Sequence, residues 1–165
     1  MKIESDELVD AQIKNRFKNK LPSVRDGWRF DFSKHAKKKA AHSYILIAEE
    51  TPGTIEGCLV YKIREIEGIY MAYIEIAPHN KGADKKYDLV AGCLIAYAGM
   101  LSYTLIEGHS KGWLTFDVME EDSRDEARLM ALYNKKYKAI GIKDSTTMYI
   151  QPVDTQLLIA KYLRI

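Results

Sequence analysis

The residues best placed for chemistry lie in one stretch, Tyr70 to Glu107. A strand-like run, Tyr70-Met-Ala-Tyr-Ile-Glu-Ile-Ala-Pro78, leads into a polar, basic loop, His79-Asn-Lys-Gly-Ala-Asp-Lys-Lys86. A long uncharged segment, Leu89 to Ile106, follows. The order strand, basic loop, buried helix brings Lys81, Lys85 and Lys86 to a helix start. The first N–H groups of a helix lack intrahelical partners and carry partial positive charge, so an anionic ligand suits the place. The plainer reading is a solvated basic loop, because Asp84 and Asp88 dilute the positive charge. His79 and Asp117 read as polar groups of a loop and a strand end. The chain carries no Ser-His-Asp order and no zinc-ligand spacing. Lys81-Gly82 with Gly92 does not make a G-x-x-x-x-G-K-[ST] loop, which argues against a nucleotide triphosphatase.

These residues need elements to hold them. Residues 5–19 read as a helix with Leu8, Ile13 and Phe17 as its few apolar members, and residues 33–42 as a second helical piece or a loop. Strands are predicted at Ser43–Glu49, Thr54–Ile63 and Ile69–Ala77. Thr51-Pro-Gly-Thr54 and Glu67-Gly68 supply turns, and such short connections favour an antiparallel meander. The uncharged segment is long enough to raise the transmembrane question, but Gly92, Gly99, Ser102, Thr104 and two tyrosines make a helix packed on a sheet the better reading. Its stripe Gly92, Ala96, Gly99 lies on one helical face, as close helix-on-sheet packing requires. Then come a strand over Gly112–Met119, a helix over Arg124–Lys138, a strand over Thr146–Gln151, and a helix over Asp154–Tyr162 capped by Asp154 or Thr155. The strand–helix–strand passage between residues 70 and 119 is a βαβ unit if its strands run parallel.

The 165 residues read as one domain, 1–165, with a composition ordinary for a globular protein. A net charge of +2 singles out no polyanionic partner, so nucleic acid is not expected. The basic clusters Lys14 to Lys20 and Lys34 to Lys39 read as solvated surface. Cys58 and Cys93 sit in apolar runs and read as buried free thiols of a reducing compartment, and the start of the chain is too charged for a signal peptide. A cytoplasmic, non-membrane protein is expected.

The order of elements, the Ile76-Ala-Pro78 strand end with the loop and helix after it, and Leu132-Tyr133-Asn-Lys135 resemble the GNAT superfamily of acyl-CoA-dependent N-acyltransferases, over roughly residues 40 to 152. The resemblance implies an α/β (α+β) fold, a mixed, mostly antiparallel central sheet flanked by helices. It implies transfer of an acetyl group from acetyl-CoA to an amine by direct attack, with no metal. In that family the fourth-strand backbone pairs with the pantetheine arm, here at Ile74, Ile76 and Ala77. The pyrophosphate motif Gln/Arg-x-x-Gly-x-Gly/Ala falls on Lys86-Tyr87-Asp88-Leu89-Val90-Ala91. Lysine stands in as the cation and Ala91 fits. Leu89 replaces the glycine that lets a phosphate approach the backbone, and Asp88 would compete for its N–H groups. The tyrosine of the Leu-Tyr-x-Lys segment, Tyr133, would protonate the departing thiolate. Glu75 on the fourth strand would serve as the base that neutralises the amine. The acceptor would be a small-molecule or peptide amine, and a homodimer is open. The other reading, from Asp88 and Leu89, is a GNAT-like binding module without catalysis.

Overall fold

Short turns and apolar runs set the first half of the sheet. Strands β1 (Ala11–Asn15), β2 (His42–Ala48), β3 (Gly57–Arg64) and β4 (Gly68–Ile76) are followed by β5 (Leu114–Asp117), β6 (Ile140–Gly141) and β7 (Thr147–Ile150). They make a seven-stranded sheet in the order β1-β2-β3-β4-β5-β7-β6. The helices are α1 (Phe32–His35), α2 (Val90–Leu105), α3 (Ser123–Tyr137) and α4 (Pro152–Leu163). This computed structural model describes residues 1–2, 7–15 and 20–163. The chain divides into two compact units, Met1–Lys62 with Tyr73–Leu94, and Ile63–Ala72 with Ile95–Ile165.

In the first unit β1 pairs antiparallel with β2 (Ile13↔Leu46), and β2 with β3 (Ile45↔Cys58). The Thr51 turn closes with the Thr54 N–H donating to the Thr51 carbonyl at 2.9 Å. Residues 57–61 of β3 are all buried, as a strand covered on both faces must be. Gly57 accounts for the close seat of α2: a Cβ there would come within 2.8 Å of Val90 Cγ1 and 2.9 Å of Leu94 Cδ1. Trp28 and Phe32, both buried, meet edge to face at 5.7 Å. The predicted helix over 5–19 is overturned where the chain is described. Residues 11–15 are a strand, because Ala-Gln-Ile-Lys-Asn has one large apolar residue, Ile13, to bury and gains its hydrogen bonds from β2 instead. Residues 16–19, and Phe17 with them, lie outside the described residues. The second helical piece shrinks to the four residues of α1, with the Asp31 carboxylate accepting the Lys34 N–H. Cys58 is buried and Cys93 half-buried, both free thiols, and burial pushes the Cys58 thiol well up.

In the second unit β4 and β5 run parallel (Ile69↔Leu114, Tyr70↔Thr115), which fulfils the βαβ expectation. β5 pairs antiparallel with β7, and β7 with β6, a two-residue strand absent from the sequence reading. Leu114 faces Ile150 and Phe116 faces Met148 across the β5–β7 pair, and all four are buried, as are Leu101 and Leu158. α3 follows its charges: Asp122 caps it, acids fill its first turn, and Lys138 ends it in the left-handed region (φ 59°). α4 starts at Pro152, so Asp154 lies in its first turn and Thr155 is buried in its body; neither is the cap. The small-residue stripe has a different partner from the sheet expected, at least at Gly99. There a Cβ would stand 2.5 Å from Thr155 Cγ2, a helix-on-helix contact with α4. Among the described residues no helix is long and apolar enough to cross a membrane.

Candidate active site

The strand–loop–helix junction belongs to the first unit, and its loop is built around a buried carboxylate. Glu56, fully buried, accepts from Thr51 Oγ1 (2.7 Å) and Asn80 Nδ2 (2.8 Å) and meets His79 Nε2 at 2.6 Å. Asn80, 1% exposed, in turn accepts the Tyr87 N–H through Oδ1 (2.9 Å). One carboxylate therefore fixes both ends of the loop over residues 79–87.

Of the residues matched to coenzyme binding, Ile74 and Ile76 are half-buried on β4. Ala77 is buried, and its N–H is already given to the Glu56 carbonyl at 2.9 Å. Lys86 is exposed, with its ammonium 5.1 Å from the centre of the Tyr87 ring. Tyr87 is buried and donates its hydroxyl to Glu50 (3.3 Å). Asp88 accepts the Leu89 N–H (2.9 Å) and pairs with the Lys85 ammonium at 3.3 Å. Val90 and Ala91 open α2. Leu89 lies at φ +69°, the left-handed region that costs a side-chain-bearing residue roughly 1–2 kcal/mol. The backbone thus takes the glycine's conformation at the position where the motif calls for glycine.

Glu75 is buried, 7% exposed, as a carboxylate on a covered strand rather than a solvent group. Its oxygens accept the backbone N–H groups of Arg29 (2.8 Å) and Phe30 (3.1 Å), and the Lys81 ammonium lies at 2.5 Å. Three donors on one carboxylate make it a clamp on the segment before α1. That segment carries an aromatic and basic surface: the His35 ring stacks on Tyr73 at 3.7 Å, and Lys38 lies 5.4 Å from the Tyr73 ring centre. Burial, followed by the charge of Lys38, lowers the His35 pKa.

In the second unit Tyr133 projects from the middle of α3, half-buried, its ring 4.9 Å from Phe116 of β5 and 5.7 Å from Tyr137. A separate polar group forms around Asp117. Its carboxylate accepts the Tyr70 hydroxyl (2.7 Å) and the Thr147 hydroxyl (2.5 Å). Arg64 lies 3.4 Å from the Tyr70 ring centre and pairs with Glu67 at 2.7 Å. Burial first, then the Asp117 hydrogen bond and charge, push the Tyr70 phenol up to about 12 against the opposing Arg64. Sequence reasoning missed Glu56 and Asn80 as organisers. The one visible signal was a carboxylate standing directly before the apolar run Gly57 to Tyr61. Among the described residues no group of three or more His, Cys, Asp or Glu side chains could hold a metal ion.

No family model and no curated protein matches the sequence. Solved structures do. One similar structure is a KacTA–DNA complex, at a TM-score of 0.59 and 10% identity, covering 92% of this chain and 99% of that one. A second is AtaTR bound with acetyl-CoA, at 0.58 and 14% identity, covering 90% and 98%. A third is AtaT complexed with acetyl-methionyl-tRNAfMet, at 0.56 and 11% identity, covering 90% and 99%. At these identities the likeness establishes the fold, which is that of the GNAT acetyltransferases.

Proposed function

We propose that the chain is a GNAT-type N-acetyltransferase that moves an acetyl group from acetyl-CoA to an amine by direct attack. The observation that carries this reading is Leu89 at φ +69°, directly before α2 and three residues after Lys86. A strained backbone at a glycine's place in the motif is what a retained phosphate-binding turn would leave after the glycine itself was replaced. Acetyl-CoA supplies the thioester carbonyl and the leaving thiolate.

The chain's own groups would act as follows. The backbone of β4 at Ile74 and Ile76, with the carbonyl of Ala77, lines up the arm; the Ala77 N–H is engaged elsewhere. The start of α2 at Val90 and Ala91 offers N–H groups and the positive end of the helix dipole to the pyrophosphate. Lys86 adds charge, though without the fork geometry of arginine. Lys85, paired with Asp88, offsets the carboxylate that would repel a phosphate. Tyr133 is the proton donor to the thiolate, a role taken from the resemblance: a phenol near pKa 10 matches a thiolate of similar basicity. Glu75 we assign to the clamp rather than to the base, because its carboxylate already holds three donors, from Arg29, Phe30 and Lys81. We place the activity in the cytoplasm, in keeping with the free thiols.

The test is thiol release from acetyl-CoA across an amine panel. Tyr133→Phe keeps the ring on Phe116 and removes the hydroxyl, so turnover should fall about 10²- to 10⁴-fold while the thermal midpoint reports whether the fold is kept. Undiminished turnover removes Tyr133 from this role.

A second reading concerns the acceptor. The aromatic surface of Phe30, His35 and Tyr73 carries the exposed Lys34, Lys37, Lys38 and Lys39. The similar structures include complexes with DNA and with an acylated tRNA, which reopens the nucleic-acid partner that net charge had argued against. An amine carried on RNA would dock here through phosphates and stacked bases. Binding of an aminoacylated RNA should then weaken with salt, with a shallower slope when Lys37, Lys38 and Lys39 become alanine. Salt-independent binding excludes this acceptor.

A further inference from the structure

The buried Glu56 carboxylate does more than hold a loop. His79 Nε2 lies 2.6 Å from Glu56 Oε2, while the His79 side chain is 44% exposed and that of Glu56 only 1%. An ionised carboxylate accepts, so Nε2 carries the hydrogen and the lone pair falls on Nδ1, for which no hydrogen bond is seen among the described residues. Asn80 and Thr51 donate to the same carboxylate and hold it in place. The result is an imidazole fixed in tautomer and orientation from behind, with its other nitrogen unpartnered. A buried acid behind a half-exposed histidine is the arrangement used to make a base.

His79 also lines a recess of about 440 Å³, wholly within the first unit. Leu21, Pro22 and Trp28 give it apolar walls, and Lys20 and Asp26 line it as well. The recess adjoins the end of β4: His79 follows Ile76 by three residues, so their Cα atoms are at most about 11 Å apart. The base is therefore at the end of the strand assigned above to the acyl arm, whereas Glu75 on that strand is occupied by three donors.

We propose that His79, positioned by Glu56, is the general base of the acyl transfer, and that the recess beside it takes the acceptor, a primary ammonium attached to a body with an apolar face. This rests on the acyl-transfer reading given above. Nδ1 takes one proton from the acceptor ammonium. The neutral amine nitrogen then attacks the thioester carbonyl carbon, the C–N bond forms as the C–S bond breaks, and the thiolate leaves with the bonding pair. The thiolate receives a proton from the acid, the acylated nitrogen gives up its second proton through water to restore that acid, and His79 returns its own proton to water. The Asp26 carboxylate, held by the Ser23 N–H (2.8 Å) and hydroxyl (2.9 Å), gives the recess a negative group to meet the ammonium.

The test uses the full chain, acetyl-CoA, and two amines with apolar bodies, benzylamine and phenylalanine methyl ester. His79→Gln keeps an amide N–H for Glu56 but has no basic nitrogen. It should lower kcat/KM about 10²- to 10⁴-fold, with acetyl-CoA affinity and thermal midpoint unchanged. Added imidazole should restore part of the activity of His79→Ala. Glu56→Gln, a positioning change, should lower kcat while KM for acetyl-CoA stays unchanged, because the imidazole is then no longer held in one tautomer and orientation. If the wild type binds and turns over acetyl-CoA while His79→Gln keeps within a few-fold of it, the inference fails alone. If the wild type neither binds acetyl-CoA nor releases thiol to amine or water, the acyl-transfer reading fails and takes this one with it.

Discussion

Single residues decide most of what this chain can do, and several carry a cost. Leu89 holds a left-handed backbone that a glycine would adopt freely, and nothing in the propensity of leucine announces it. Only the alignment of Lys86 to Ala91 with a phosphate motif pointed to that position. Tyr70 shows how a residue gains a partner far off in sequence. It faces Thr115 across a parallel pair, and Asp117 lies two residues along on the same face, 47 positions from Tyr70. Its phenol is held neutral in the fold, with a folded pKa of about 12 against an ordinary value near 10. The folded state therefore binds the proton more tightly than the unfolded state does. The stability this gives is complete below about pH 10 and is lost as pH rises towards 12. Thermal midpoints of wild type and Tyr70→Phe should converge across that interval, the variant losing less. A constant gap between them from pH 8 to 12 would contradict the assignment.

At the scale of elements, the meander and the long helix were legible because local chemistry decided them. Turn residues at Thr51-Pro-Gly-Thr54, unbroken apolar runs in β2 and β3, and an uncharged sixteen-residue helix leave few alternatives. β1 was not legible. It has one large apolar residue, Ile13, and what makes it a strand is the ladder offered by β2 about thirty positions later. The Glu56 cluster was hidden for the same reason, since a buried carboxylate is acceptable only when Thr51, His79 and Asn80 reach it together. Small residues in α2 were read correctly as a sign of close packing, but the partner of Gly99 is a helix. Replacing Gly99 by alanine should therefore destabilise by about 1–3 kcal/mol, although alanine is the better helix former. Thr155→Ser, which removes the methyl 2.5 Å from the added carbon, should recover most of that loss in a double-mutant cycle by denaturant unfolding. A neutral or stabilising Gly99→Ala would show that the helices adjust at no cost.

For the whole molecule, the sheet order and the parallel pairing of β4 with β5 belong to the fold shared with the similar structures, while the proposed activity rests on a loop that departs from the GNAT phosphate motif. Asp88 and Leu89 weaken the cradle; Lys85, Lys86 and the start of α2 support it. At about 4 Å in water-like surroundings one unit charge is worth about 1 kcal/mol, roughly a fivefold change in affinity, so these effects tune binding rather than abolish it. Calorimetric titration of the chain with acetyl-CoA tests this most directly. The account predicts saturable one-to-one binding, about fivefold weaker in Lys86→Ala and about fivefold tighter in Asp88→Asn. No heat of binding up to millimolar acetyl-CoA would contradict it and leave a GNAT fold that serves as a binding module.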